Sequence, residues 1–372
     1  MARMHRVKSA SWWILLVGAA WALAGCASWR DAFVNWRQGP PPAVLQQAVQ
    51  QAVQQAVQQP VQQAAPPALD AELQQSMDRL YAEGASALAR NDIDDTLAAW
   101  RQYSTIAPVH LDLTRKVRGY LTLLDREAAR RFAKQVAARE KTAPYTQTDR
   151  LHVALFPFFS QGPNAALPAN ASFNRAVMAM ITTDLSRVPA ITVLEREKID
   201  HLVQELKLSG SPLVDRATVL AQGRLLGAGT VIAGSVFNQA GPAGPGSGRY
   251  RINTAVSDVQ GGKVVGLQEA DGGQAEFFTL QKRIVYGILE TLDIKDLPPG
   301  VHRIHTRSWE AYARFAAGLQ LMAEDRFDEA RKAFRAALEF DPAFALAEEA
   351  FLSTPNPGAT LDSIRVEVRA GR

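Results

Sequence analysis

Cys26 is the only cysteine in 372 residues, and Leu23, Ala24 and Gly25 lead directly into it. A lone thiol makes no internal disulfide, so the chemistry open to it is nucleophilic: it can take up an alkyl or acyl group. Small side chains before it let a peptidase reach the backbone. Other chemistry-bearing residues are sparse. Gly223, Gly227 and Gly229 are spaced loosely like a phosphate loop. No Gly-Lys-Ser/Thr accompanies them, and the expected helix precedes the glycines where a phosphate loop has it follow. A helix stop before a strand is the plainer reading. His302 and His305 follow Pro298-Pro299-Gly300 with no cysteine or carboxylate cluster nearby. They read as exposed linker histidines rather than a metal pair. Glu195, Arg196 and Glu205 suit an ion pair or a helix cap, and no Ser/His/Asp arrangement stands out. The expectation is a protein that is not an enzyme, with no catalytic residues, no metal and no cofactor.

The segment before Cys26 gives that residue its meaning. Arg3, Arg6 and Lys8 form a positive start, and Trp12 to Ala22 an apolar stretch too short for a comfortable permanent span. Residues 1–25 therefore read as a signal peptide. Leu23-Ala24-Gly25-Cys26 resembles the lipobox of bacterial lipoproteins, which implies cleavage before Cys26 and lipidation of its sulfur, with palmitate among the attached chains. Ala27 follows where an aspartate would favour retention at the inner membrane. The resemblance thus implies an outer-membrane protein, lipid-anchored and facing the periplasm. The formal charge of +4 overstates the basic character: three of the 41 basic residues lie in the signal peptide, leaving 38 against 37 acids. Nothing in that balance points to nucleic acid.

Residues 26–69 read as an anchored tether rich in Gln and Pro. Trp29, Phe33 and Trp36 share a face if helical, suited to the headgroup region; a disordered stub with scattered aromatics fits equally well. From Gln46 to Val57 the unit Gln-Gln-Ala-Val repeats with period four, which drifts around a helix and builds no lasting apolar face. About 30 flexible residues span roughly 30 Å on average. A short self-associating coiled coil is the alternative.

Residues 70–142 show helical periodicity, and residues 149–293 read as α/β. In the second segment, strands are expected at Leu151–Phe156, Ile191–Leu194, Thr230–Val236, Tyr250–Val259 and Lys263–Leu267. Amphipathic helices lie between them and after them: Phe173, Val177, Met180, Ile181 and Leu185 mark one inward face; Phe277, Leu280, Ile284 and Ile288 mark another. Gln260-Gly261-Gly262 predicts an antiparallel turn. The fold class is α/β, a mixed sheet packed by helices and flanked by helical hairpins.

Residues 306–350 hold a helix pair that resembles a tetratricopeptide repeat, through Gly318, Phe327, Ala330, Phe334, Ala337 and Pro342. The register recurs 234 residues earlier at Tyr81, Gly84, Ile93, Trp100 and Pro108. Thr96 and Tyr103 replace the alanines there, so this copy is degenerate; an unrelated hairpin is the alternative. Such units need neighbours, and flanking copies suit partner docking. Residues 351–372 are expected as a flexible tail.

Residues 149–293 resemble the curli-assembly lipoprotein family, CsgG-like, related to the N-terminal domain of TolB and to LpoB-like activators of penicillin-binding proteins. The resemblance rests on Leu155-Phe156-Pro157-Phe158, on Val193-Leu194-Glu195-Arg196, on Glu205 before Ser209-Gly210, and on Leu225 to Gly229 running into Val231 to Val236. Asp258-Val259 and Gly261 to Val264 complete it. It implies assembly or secretion of envelope or extracellular structures, with envelope proteins as partners and a homo-oligomer compatible with the reading. The family's channel subunits lend membrane-spanning hairpins to a shared barrel. Here Gln239 to Gly248 is rich in Gly and Pro, and Leu267 to Phe278 carries Glu269, Asp271 and Glu276, so no spanning hairpin is expected. The alternative function is activation of a cell-wall synthase across the periplasm, which the tether would serve.

Overall fold

Alternating and helical apolar periods place each element of the α/β segment. The computed structural model describes residues 71–139, 149–161, 168–194, 196–205, 216–241 and 244–370. The N-terminal helices are α1 (Ala71–Ala89), α2 (Ile93–Ile106) and α3 (Asp112–Arg139). Next come β1 (His152–Leu155), β2 (Phe159–Gln161), α4 (Pro168–Ser186), β3 (Thr192–Val193), α5 (Arg196–Glu205) and α6 (Arg216–Leu225). Strands β4 (Thr230–Gly241), β5 (Gly244–Asp258) and β6 (Lys263–Gly273) lead into α7 (Phe277–Thr291) and the short α8 (Pro299–His302). Helices α9 (Trp309–Ala323), α10 (Phe327–Phe340), α11 (Ala345–Ser353) and α12 (Leu361–Arg369) close the chain.

The sheet runs β3-β1-β4-β5-β6, with β2 also pairing β4. β1 lies parallel to β3 and β4, whereas β4, β5 and β6 form an antiparallel meander. The mixed sheet packed by helices is therefore as the periodicities predict. Three strands run further than expected, and β4 continues past Val236 to Gly241. β5 begins at Gly244, and β6 continues through Glu269 and Asp271 to Gly273 because those carboxylates lie on its exposed face, where Arg249 and Arg251 of β5 pair with Asp271. The tight turn before β6 uses Gly262 at φ 62°, and Asp258 Oδ2 accepts from Gly261 N at 2.7 Å.

One sheet face packs on α4, α7 and the C-terminal hairpin in a single core, from Ile232, Ile252 and Val256 through Ile181 and Ile284 to Phe334 and Phe344. Phe173 stacks on Tyr250, and with Phe277, Trp309 and Tyr312 these rings otherwise meet edge to face or tilted, all at 5.0–5.8 Å; Tyr312 donates to Phe173 O at 2.9 Å. The opposite face is covered by Ala133 of α3, Ile199 and Leu202 of α5, and Val219 of α6, over Ala154 and Val231.

The two helical hairpins superimpose in sequence register. α2 and α10 have ends displaced by 234 positions, as do the last residues of α1 and α9. The intervening corners use Asn91 at φ 61° and Asp325 at φ 59°. A Cβ on Gly84 would stand 2.3 Å from the Trp100 ring; one on Gly318 would stand 2.4 Å from Phe334. Trp100 and Phe334 are fully buried. Thr96 and Tyr103 fit because each is buried with a partner: Thr96 donates to Asp92 O at 2.5 Å, and Tyr103 Oη lies 3.5 Å from Thr114 Oγ1 of α3.

Helix α3 packs on α2, α5, α11 and α12 and so joins the N-terminal hairpin to the C-terminal helices. Lys116 pairs with Glu367, Arg118 with Glu349 at 2.9 Å, and Arg126 with Asp325. Residues 351–372, expected as a flexible tail, instead hold the end of α11 and then α12, capped by Thr360 and Ser363 and docked on α1 and α3. Ile364 is its buried anchor, and Glu367 also accepts from Tyr120. Burial pushes Glu367's carboxyl up, but the Lys116 and Tyr120 bonds outweigh this and hold it below its usual range.

Candidate functional site

Leu23, Ala24, Gly25 and Cys26, the tether, and Trp29, Phe33 and Trp36 lie outside the described residues, as does Glu195. Arg196 and Glu205 open and close α5. The glycines of the loosely phosphate-loop-like stretch end α6. Gly227 adopts φ 71°, Ala228 N donates to Gly223 O at 2.8 Å, and Gly227 N donates to Arg224 O at 3.1 Å. Gly229 N donates to His152 O at 2.9 Å. With these amides spent on the backbone, the loop offers no cradle to an anion.

His305 departs from expectation. Its side chain is 4% exposed, and Nε2 lies 3.0 Å from Asp184 Oδ1. Lys282 Nζ donates to Asp184 Oδ2 at 2.6 Å and to Val301 O at 2.9 Å; Gln281 donates to Asp184 Oδ2 at 3.0 Å. Burial pushes the Asp184 carboxyl up, but the adjacent His305 ring and the hydrogen bonds from Lys282 and Gln281 together win and hold it below the usual range. Burial depresses Lys282 despite Asp184. Arg187, partly exposed, also donates to Asp184 Oδ1 at 3.3 Å and to Gly300 O at 2.8 Å, so the cluster ties α4 and α7 to α8 and the segment before α9. The linker carries His305 inward because Val301 of α8 is a core residue. His302 stays nearer the surface, its Nδ1 3.0 Å from Tyr286 Oη.

The surface with the features of an interface is the far half of the sheet's second face. Helices α3, α5 and α6 cover β1 and the start of β4, then stop. Beyond them a shallow depression of 390 Å³ includes Phe159, Ala233, Ser235, Asn253, Ala255 and Leu267 in its lining. Leu267 is 78% exposed and Val265 38%. Asn253 Nδ2 donates to Ser235 Oγ at 3.5 Å, while its Oδ1 is buried with no hydrogen-bond partner among the described residues. The Arg249–Asp271–Arg251 network rims the face, and its arginine hydrogen bonds hold Asp271 below the usual carboxylate range. An apolar, small-residue floor with a charged rim is the anatomy of a protein interface. In the sequence, Leu267 shares its parity with Val265, Glu269 and Asp271, which places all four on one strand face.

Among the described residues, no helix is long and apolar enough to cross a membrane, and no group of three His, Cys, Asp or Glu is placed to hold a metal. The fold and this face define an α/β module flanked by helical hairpins. Residues 135–271, from the end of α3 to β6, match the family described as curli production assembly/transport component CsgG, so the chain carries a CsgG-family domain. A solved structure, the LpoB C-terminal domain from Salmonella enterica, is similar over 40% of this chain and 99% of that chain, at 14% identity and a TM-score of 0.25. No curated protein matches.

Proposed function

We propose that this protein is a non-enzymatic lipoprotein, anchored through Cys26 in the outer membrane and facing the periplasm. It serves assembly or secretion of envelope or extracellular structures by recruiting a protein partner. The open face around Leu267 and Asn253, within the CsgG-family domain, carries this reading. The chain is not itself a pore: β4, β5 and β6 commit their other face to helices of their own domain. The helical hairpins, read as tetratricopeptide-like, add docking surface.

A photocrosslinking residue placed at Leu267 in intact cells tests this. A discrete adduct with another envelope protein is expected at Leu267 and absent from Glu290, an exposed control on α7. Equal adducts at both positions, or none at either, would overturn the docking face. A penicillin-binding protein in the adduct would replace assembly with cell-wall regulation. Separately, Cys26→Ala is expected to abolish incorporation of labelled palmitate; persistent labelling would refute the anchor.

A further inference from the structure

A second cavity, remote from the open sheet face, has a different chemistry. It measures 560 Å³ and lies where α3 faces α4, α5 and the C-terminal helices. That volume falls within the range of small-molecule sites. Helix α3 sets Arg126, Arg130 and Lys134 along one wall at four-residue spacing, a row of about 12 Å. Arg175 of α4 adds a fourth cation. The carboxylates in the lining are Asp200 and Asp325, so cations outnumber them by two.

The cations differ in how firmly they are held. Arg126 is fixed by Asp325 and by Met322 O at 2.5 Å, and Arg175 lies 3.3 Å from Asp200. Arg130 reaches Glu127 at 3.0 Å, but Glu127 is shared with Arg131 at 2.9 Å. Lys134 is exposed and has no carboxylate partner among the described residues. The floor is apolar, from Leu319, Met322 and Phe334. An adjoining cavity shares Arg126, Arg130 and Asp325 but turns acidic beyond them, at Asp328, Glu329 and Asp362. An anion is therefore favoured only on the Lys134 side.

We infer that this cleft binds a small amphiphilic anion, with a phosphate or carboxylate head on the Arg130–Lys134 wall and an apolar body on the Met322 floor. The head would take charge-assisted hydrogen bonds from groups already oriented by α3. The inference does not depend on the proposed docking face.

Calorimetry on the full chain in mild detergent tests it, with 1-naphthyl phosphate and 1-naphthoate as probes and 1-naphthol as the uncharged control. At least one anion is expected to bind about tenfold or more tightly than 1-naphthol. Lys134→Glu, alone and combined with Arg130→Glu, is expected to remove that preference while leaving the circular dichroism and thermal midpoint unchanged. Short-chain phosphatidic acid in the same assay separates sources: binding tighter than 1-naphthyl phosphate assigns a lipid headgroup, and weaker binding a soluble anion. Equal affinity for charged and uncharged probes, unchanged affinity in the variants, or no binding at all would overturn the inference.

Discussion

Asp184 is fully buried, and each of its oxygens is met by a side chain from another element. Removing Lys282 strips Oδ2 of its cation and leaves Arg187, 3.3 Å from Oδ1, as the remaining permanent charge facing this buried carboxylate. Lys282→Met is therefore expected to cost about 3–5 kcal/mol, read by chemical denaturation. Adding Asp184→Leu should recover much of that loss, because an apolar pair avoids the desolvation that the ion pair must overcome. The pH dependence has a fixed sign. Asp184's folded pKa lies below its unfolded value of about 4, so its contribution is present above that pH and is lost as pH falls through the folded value. The double variant should lose less stability on acidification than the native chain. Part of this cluster was legible. Asp184 sits three residues after Ile181 and beside Leu185, on the apolar stripe, and Lys282 lies between Phe278 and Val285 on another. His305 was not legible, because a linker has no period to show which way a side chain points.

At the level of elements, the hairpins depend on two glycines that let helices approach. Gly84→Ala and Gly318→Ala each gain up to about 1 kcal/mol of helix propensity. Each also drives a methyl group to within 2.4 Å of a buried ring, Trp100 or Phe334. Overpacking costs about 1–3 kcal/mol, so net destabilisation is expected in both, as a lower denaturant midpoint. An equal or higher midpoint would show that the hairpins can open to admit the methyl. This register was visible in the spacing of Gly84, Trp100, Gly318 and Phe334. The elements that escaped were those whose signal is short or masked. β6 looked broken at Leu267 because its exposed face is charged. α12 has nine residues and, among its buried side chains, only Ile364 as anchor, too little to stand out from a tail.

For the whole molecule, the described residues belong to one compact unit. The C-terminal hairpin shares the sheet's core, and the N-terminal pair reaches it through α3. Unfolding should therefore be a single transition. Fluorine-labelled tryptophan, read by NMR on heating, reports Trp100 on α2 and Trp309 on α9 separately; coincident midpoints are expected, and separated ones would split the unit. Overall architecture was the most legible level, since alternating strands and amphipathic helices largely specify a packed mixed sheet. How the flanking helices close on one another was not, because it rests on pairs such as Lys116 with Glu367, 251 positions apart.

Helix α3 has a consequence for the order of events during synthesis. Its partners α11 and α12 begin only at Ala345 and Leu361, more than 200 positions after α3 ends at Arg139. A chain emerging amino end first leaves Lys116, Arg118 and Tyr120 of α3 without their Glu367 and Glu349 partners until α11 and α12 follow. Long sequence separation between contacting elements slows folding as well. The nascent protein thus has a waiting period in which one long basic, half-apolar helix is uncovered, and a truncation that removes only α12 would leave the finished product with part of that surface open to aggregation.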